Sequence, residues 1–111
     1  MAYNITIEKC KSSSVEDEYY FRIYTQYGPD SEESTLEKHN KQWVFWDAAD
    51  KTVYNWNQVE LRSVHFGILA YCFSTLTNLT KANTPKFLDN LEYGIVNLYS
   101  NTRIEFKGFQ I

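Results

Sequence analysis

The longest run of apolar positions lies between Asn57 and Thr80, NQVELRSVHFGILAYCFSTLTNLT, and its spacing predicts one long helix. Projected at about 100° per residue, Leu61, Val64, Ile68, Cys72, Leu76 and Leu79 fall on one stripe. Phe66, Leu69, Ala70 and Phe73 widen that stripe past half the circumference, leaving Glu60, Ser63, Gly67, Ser74 and Asn78 as a narrow polar strip. A helix so apolar needs cover on two sides, from a sheet and from a second element. Its start is expected at Asn57, a favourable N-cap, with Glu60 completing a capping-box pair and Trp56 and Leu61 placed as a hydrophobic staple. His65 interrupts the run and Ser74, Thr75, Thr77 and Asn78 end it, short of the roughly 20 apolar residues that a membrane span requires.

Elsewhere the period is two. Tyr3, Ile5 and Ile7 alternate with Asn4, Thr6 and Glu8 as in a half-buried strand, and Lys11 to Ser14 turns the chain. A second strand, Glu18 to Tyr27, places Tyr19, Phe21, Ile23 and Thr25 on one face and Tyr20, Arg22, Tyr24 and Gln26 on the other. Gly28-Pro29-Asp30 is expected to end it, with a polar loop following to Asn40 that holds at most a short helical turn around Ser34 to Lys38. Lys41 to Asp47 and Thr52 to Trp56 read as a hairpin about Ala48-Ala49-Asp50-Lys51 that leads into the long helix. Thr84 is placed to cap a second helix with Pro85 in its first turn, where a missing N–H costs nothing. Leu88, Leu91, Ile95, Leu98 and Tyr99 form its apolar stripe, and Asn101 stops it. A hairpin of Ile95 to Tyr99 with Arg103 to Phe109 is the competing reading, but the helical spacing reaches back to Leu88. Ile104, Phe106 and Gly108 then alternate with Arg103, Glu105 and Lys107 in a closing strand that runs on toward Ile111.

The pattern predicts an α+β protein: an antiparallel sheet of about five strands, in the chain order β-β-β-β-α-α-β, with two helices packed on one face. A length of 111 residues fits one domain spanning the whole chain. Where the last strand joins the sheet is left open between an edge and an insertion among the earlier strands.

Composition adds a bias. Hydrophobic residues at 43% and charged residues at 23% suit a globular chain, while aromatics at 17%, with nine Tyr and three Trp, are in excess of what a small core needs. Two cysteines, with no signal-like leader and no terminal apolar segment, lead us to expect free thiols and a bacterial host cytosol. The sequons at Asn4 and Asn78 are then chance matches. Abundant Asn and Tyr with little Ala and Gly suits an AT-rich genome, such as that of many phages or mobile elements.

Reactive groups are few: His39, His65, Cys10, Cys72 and dispersed carboxylates. His65 and Cys72 share a helix face but lie about 10 Å apart along the axis, too far for one metal. The expected role of His65 is a buried imidazole satisfied by a tyrosine or a backbone group. No metal-ligand spacing, glycine-rich phosphate loop or nucleophile elbow occurs, so neither cofactor nor metal nor catalytic residue is assigned.

Charge is more informative. Glu16, Asp17, Glu18, Asp30, Glu32, Glu33 and Glu37 make up seven of the fourteen acidic residues, in a stretch whose only base before Lys38 is Arg22. If the helices cover one face of the sheet, the other carries Tyr20, Arg22, Tyr24, one of Trp43 or Trp46, and Arg103. Tyr, Trp and Arg dominate interface hot spots because they bring large buried area or many donors at little rotamer cost. Such a stripe also suits cross-strand pairing that stiffens a sheet, or stacking of single-stranded bases. Dispersed lysines and a net charge of −3 oppose a phosphate-tracking groove, so no direct nucleic-acid contact is expected.

The expectation is a small binding protein that neutralises a larger protein, a nuclease or nucleic-acid-binding effector, by occupying its functional surface. Tyr20, Arg22, Tyr24 and Trp46 would supply contact, and Asp30, Glu32, Glu33 and Glu37 steering toward a basic surface. A phage inhibitor of host defence, in the manner of anti-CRISPR proteins, and an immunity protein held against a toxin both fit. The alternatives are a small nuclease or lyase built from His39, His65 and a glutamate, and a self-assembling phage structural protein. A homodimer is compatible with each, and no membrane is involved.

Overall fold

A computed structural model describes residues 2–11, 19–58 and 63–109. Its strands are β1 (Tyr3–Lys11), β2 (Tyr19–Tyr27), β3 (Asp30–His39), β4 (Gln42–Asp47) and β5 (Thr52–Tyr54), followed by helices α1 (Val64–Leu76) and α2 (Thr84–Leu98) and a last strand β6 (Thr102–Lys107). They form one six-stranded sheet in the order β5-β4-β3-β2-β1-β6. Neighbours are antiparallel except β1 and β6, which run parallel in the register Tyr3 to Thr102. The α+β architecture is the one read from the pattern, with one strand more than expected and a mixed rather than wholly antiparallel sheet.

The additional strand is β3, where a polar loop was expected. Gly28 adopts φ 59° and, with Pro29, closes a two-residue turn between the paired residues Tyr27 and Asp30. That geometry continues the sheet, because a positive φ at the first turn position matches the right-handed twist of the flanking strands. At the other end Asn40 and Lys41 both have positive φ, 50° and 67°, so Lys41 belongs to a tight hairpin turn and β4 begins at Gln42. β3 thus pairs on both sides, with β2 and β4. The β4–β5 hairpin follows the sequence reading, and Asp47 caps its loop by accepting from the Ala49 and Asp50 N–H groups at 2.9 and 3.2 Å.

The long helix starts later than expected. Trp56–Gln58 is a single 3-10 turn, and α1 is capped by Ser63, whose hydroxyl accepts from the Phe66 N–H at 3.2 Å. Asn57 is therefore not the N-cap; Glu60 and Leu61 lie outside the described residues. Trp56 instead stacks on Phe73, ring centroids 4.9 Å apart. Thr84 is the first residue of α2 and not its cap, and its hydroxyl donates to the Thr80 carbonyl at 2.5 Å. Asn101, at φ 57°, makes the turn into β6 after α2 has ended at Leu98.

Both helices lie on one face, as the width of the α1 stripe demanded. Ile5, Ile7, Phe21, Ile23, Leu36 and Phe45 from the sheet pack with Ile68, Leu69, Cys72 and Leu76 of α1 and Leu88, Leu91 and Ile95 of α2. Gly67, expected in the polar strip, is buried: the Tyr99 hydroxyl occupies the place where a Cβ would project. Leu98, expected on the α2 stripe, is 56% exposed at the helix end. The helix pair carries the chain across the sheet to the edge beside β1, and Tyr3 N–H binds the Asn101 carbonyl at 3.1 Å, so β6 starts level with β1 and runs alongside it. Among the described residues no helix is long and apolar enough to cross a membrane.

Candidate interaction face

Pairing register assigns every strand residue to a face. Opposite the helices lie Cys10 and Tyr20; Glu8, Arg22, Thr35, Trp46 and Val53; Thr6, Tyr24 and Glu33; and Glu37 beside Val44, with Arg103, Glu105 and Lys107 along β6. Six of the eight residues expected to bind a partner are thus brought together: Tyr20, Arg22, Tyr24, Glu33, Glu37 and Trp46. Asp30 and Glu32 are not among them. Because β3 is a strand, its side chains alternate, and these two carboxylates fall on the helix side at the end of the sheet, around a cleft of about 210 Å³ that they share with Tyr3, Tyr27 and His65. Trp43 also belongs to the helix side, tilted on Phe21 at 5.8 Å. Glu16 to Glu18 lie outside the described residues.

Arg22 is the hub of the open face. Its Nε donates to Glu33 Oε1 at 2.9 Å, a terminal nitrogen reaches the same oxygen, and Nη1 donates to Glu8 Oε1 at 3.2 Å. The Glu33 bond and charge, then that of Glu8, hold the guanidinium pKa above its ordinary value. Two carboxylates of the same chain therefore already use the arginine expected to serve a partner. Around it, Thr6, Tyr24 and Lys107 complete a shallow cleft of about 260 Å³. Glu37 is held by the Thr35 hydroxyl at 2.6 Å and by His39 Nε2 at 3.2 Å. Val44, paired with Glu37, is only 6% exposed although it lies on this side. Burial raises the Cys10 thiol pKa against a lowering hydrogen bond from Tyr20, and that bond raises Tyr20 in turn.

His65 occupies the reverse side. At 2% exposure its Nε2 lies 2.9 Å from Ser34 Oγ and its Nδ1 3.0 Å from Thr25 Oγ1, so two strand hydroxyls satisfy the ring, not a tyrosine or the backbone. Desolvation lowers its pKa to about 4, with the Asp47 charge opposing. The imidazole is neutral at pH 7, donating through one nitrogen and accepting through the other. A serine beside a histidine invites a nucleophilic reading, but Ser34 is wholly buried and Nδ1 meets a hydroxyl where a carboxylate would stabilise an imidazolium. His39 and His65 are on opposite sides of the sheet and do not form one site. The Tyr54 hydroxyl, buried nearby, approaches Ser34 without a hydrogen bond of ordinary geometry, and burial raises its pKa. Burial likewise pushes the Cys72 thiol far up. Among the described residues no cluster of three or more His, Cys, Asp or Glu is arranged to hold a metal.

Sequence reasoning missed Glu8, Thr35 and Val44 on the open face. The available signal was the alternation of Glu33, Thr35, Glu37 and His39 with Ser34 and Leu36, masked because the inward position 34 is polar. The molecule is thus an α+β protein whose sheet, among the described residues, has one face covered by the helices and one left open. Comparison with protein-family models, with curated proteins and with solved structures gave no match.

Proposed function

We propose that this chain is a binding protein that neutralises a larger, nucleic-acid-acting protein by laying the open sheet face over its functional surface. One observation carries the reading: among the described residues one sheet face is left uncovered by the helices, and it bears Tyr20, Tyr24 and Trp46 with Glu8, Glu33 and Glu37. Rings fixed on strands lose little freedom when they are buried by a partner, which favours affinity. On this face Glu8, Glu33, Glu37 and Glu105 outnumber Arg22, Arg103 and Lys107 by one, and this slight acidic excess favours a basic partner surface of the kind that holds nucleic acid over phosphate itself. Asp30 and Glu32, at the end of the sheet, add to the approach field within a Debye length of about 8 Å, without touching the partner. Phage inhibition of a host defence complex and immunity to a toxin nuclease are the two settings this chemistry suits.

Affinity capture from bacterial lysate, followed by measured association with the recovered protein, tests the reading. Wild type and His65→Gln are expected to retain a basic, nucleic-acid-acting partner, while Tyr24→Ala/Trp46→Ala, still folded, loses it. The association rate should fall as salt rises. Retention by the aromatic-face variant together with loss in His65→Gln would discard the proposal, and a salt-independent on-rate would remove the β3 carboxylates from it.

A further inference from the structure

The two edges of the sheet differ in what they offer another strand. β5 is three residues long, a short edge of the kind that protects a sheet from pairing. β6 presents six residues, Thr102–Lys107, with no proline, and is last in the sheet on its side. Its residues on the helix side, Thr102, Ile104 and Phe106, are half-buried, and its charges all stand on the open face, so no inward charge guards the edge.

Backbone directions follow from the parallel pairing. The bond from Tyr3 N–H to the Asn101 carbonyl, with Tyr3 in register with Thr102, turns the peptide groups of Asn101, Arg103, Glu105 and Lys107 toward β1. The N–H and C=O groups of Thr102, Ile104 and Phe106 therefore point out of the sheet, ready to accept another strand.

Side-chain charge selects that strand. Along the open face β6 reads Arg103, Glu105, Lys107. If a second β6 pairs antiparallel about Ile104, each Ile104 faces its counterpart, each Thr102 faces a Phe106, and Arg103 stands opposite the second copy's Glu105 twice over. Those are non-hydrogen-bonded positions, where Cα atoms approach to about 4.5 Å and side chains are closest. Pairing about Glu105 sets Glu105 on Glu105 and Arg103 on Lys107. Pairing about Phe106 runs past the end of the strand into Gly108, whose φ is 78°. Only the register about Ile104 uses the length of the strand and opposes unlike charges. Arg103 is exposed and has no ion-pair partner among the described residues, which leaves it available.

We propose that the chain forms a two-fold dimer through antiparallel β6–β6 pairing centred on Ile104. The dyad is perpendicular to the sheet, so the two open faces continue into one surface and both helix layers share the other side. Val96 lies on the flank of α2 opposite Gly94, which meets Tyr71 of α1, and at 41% exposure it is apolar surface on the side of α2 away from α1. This inference does not depend on the proposed function.

Sedimentation equilibrium of the full chain tests it. The expected mass at tens of micromolar is twice the 13.1 kDa of one chain. Arg103→Glu, which opposes Glu to Glu at both pairs, should raise the dimer Kd about tenfold or more, and Glu105→Arg should do the same. The double exchange Arg103→Glu/Glu105→Arg should return Kd to the wild-type value, because the unlike pairs are restored. Circular dichroism should be unchanged in all three, as should the denaturation midpoint when it is read on dilute protein well below the dimer Kd, where only the monomer is present. A wild type that stays monomeric at about 100 µM, single reversals without effect, or a double exchange that fails to restore pairing would each overturn the proposal.

Discussion

Phe45 and Trp46 are neighbours in the chain and belong to different physical regimes. Phe45 points to the helices, is fully buried, and meets the rings of Tyr54 and Phe73 at 5.6 and 5.9 Å. Trp46 points the other way and is only half-buried, in the row of Arg22 and Thr35. One face spends its aromatic surface on the protein's own stability. The other leaves Tyr20, Tyr24 and Trp46 half-buried, beside Arg22 and the two carboxylates it pairs with. The polar groups divide likewise: behind the sheet His65 is neutral and closed off by hydroxyls, while in front Arg22 and its partners Glu8 and Glu33 are partly open to solvent.

That contrast is most severely tested at Phe45. Phe45→Ala should destabilise the fold by about 3–5 kcal/mol, whereas Trp46→Ala should cost under about 1 kcal/mol, both read from urea denaturation. Equal losses would mean that the open face is structural.

His65 gives the next effect, through pH. In the unfolded chain the imidazole takes up its proton near pH 6.5, but in the fold only near pH 4. Between those values the unfolded state binds the additional proton, so stability is complete above about pH 6.5 and is lost as pH falls toward 4. The loss amounts to about 3 kcal/mol. His65→Gln lacks this linkage. Denaturation at pH 7 and pH 4 should show wild type losing more than the variant by roughly that amount; parallel losses would mean that the ring is not closed off.

At the helix seam, Gly67→Ala should destabilise by about 1–2 kcal/mol although alanine is the better helix former, because its methyl meets the Tyr99 hydroxyl. In a Tyr99→Phe background the penalty should shrink, which a double-mutant cycle reads directly.

The smallest effect belongs to Arg22. Its side chain is 48% exposed, so solvent screens its bonds to Glu8 and Glu33, and Arg22→Ala should change stability by under about 1 kcal/mol. A larger loss would make the hub part of the fold's stability and not only a feature of its surface.

Much of the covered face was legible in the chain. Alternation in β1 and β2 and the breadth of the α1 stripe placed Ile5, Ile7, Phe21, Ile23, Ile68 and Cys72 in the core, since burial of one face imposes a period that the sequence must show. β3 was illegible because its inward positions are polar apart from Leu36: Asp30, Glu32, Ser34 and Lys38 share that face, and Ser34 meets a polar partner, His65, 31 residues later. The start of α1 failed differently, since Asn57 and Ser63 are both good caps and local chemistry does not choose between them.

By itself the sequence determined two periodicities, and therefore which residues needed burial and that helices would lie on a sheet. Only the tertiary structure decided that the 30–39 segment is a strand inside that sheet, which splits its carboxylates between two faces. It also decided that β6 joins at the edge beside β1, and that Arg22 is already paired. Each of these depends on which strand lies alongside which, and strand neighbours are set by contacts far apart in the chain, where no local pattern records them.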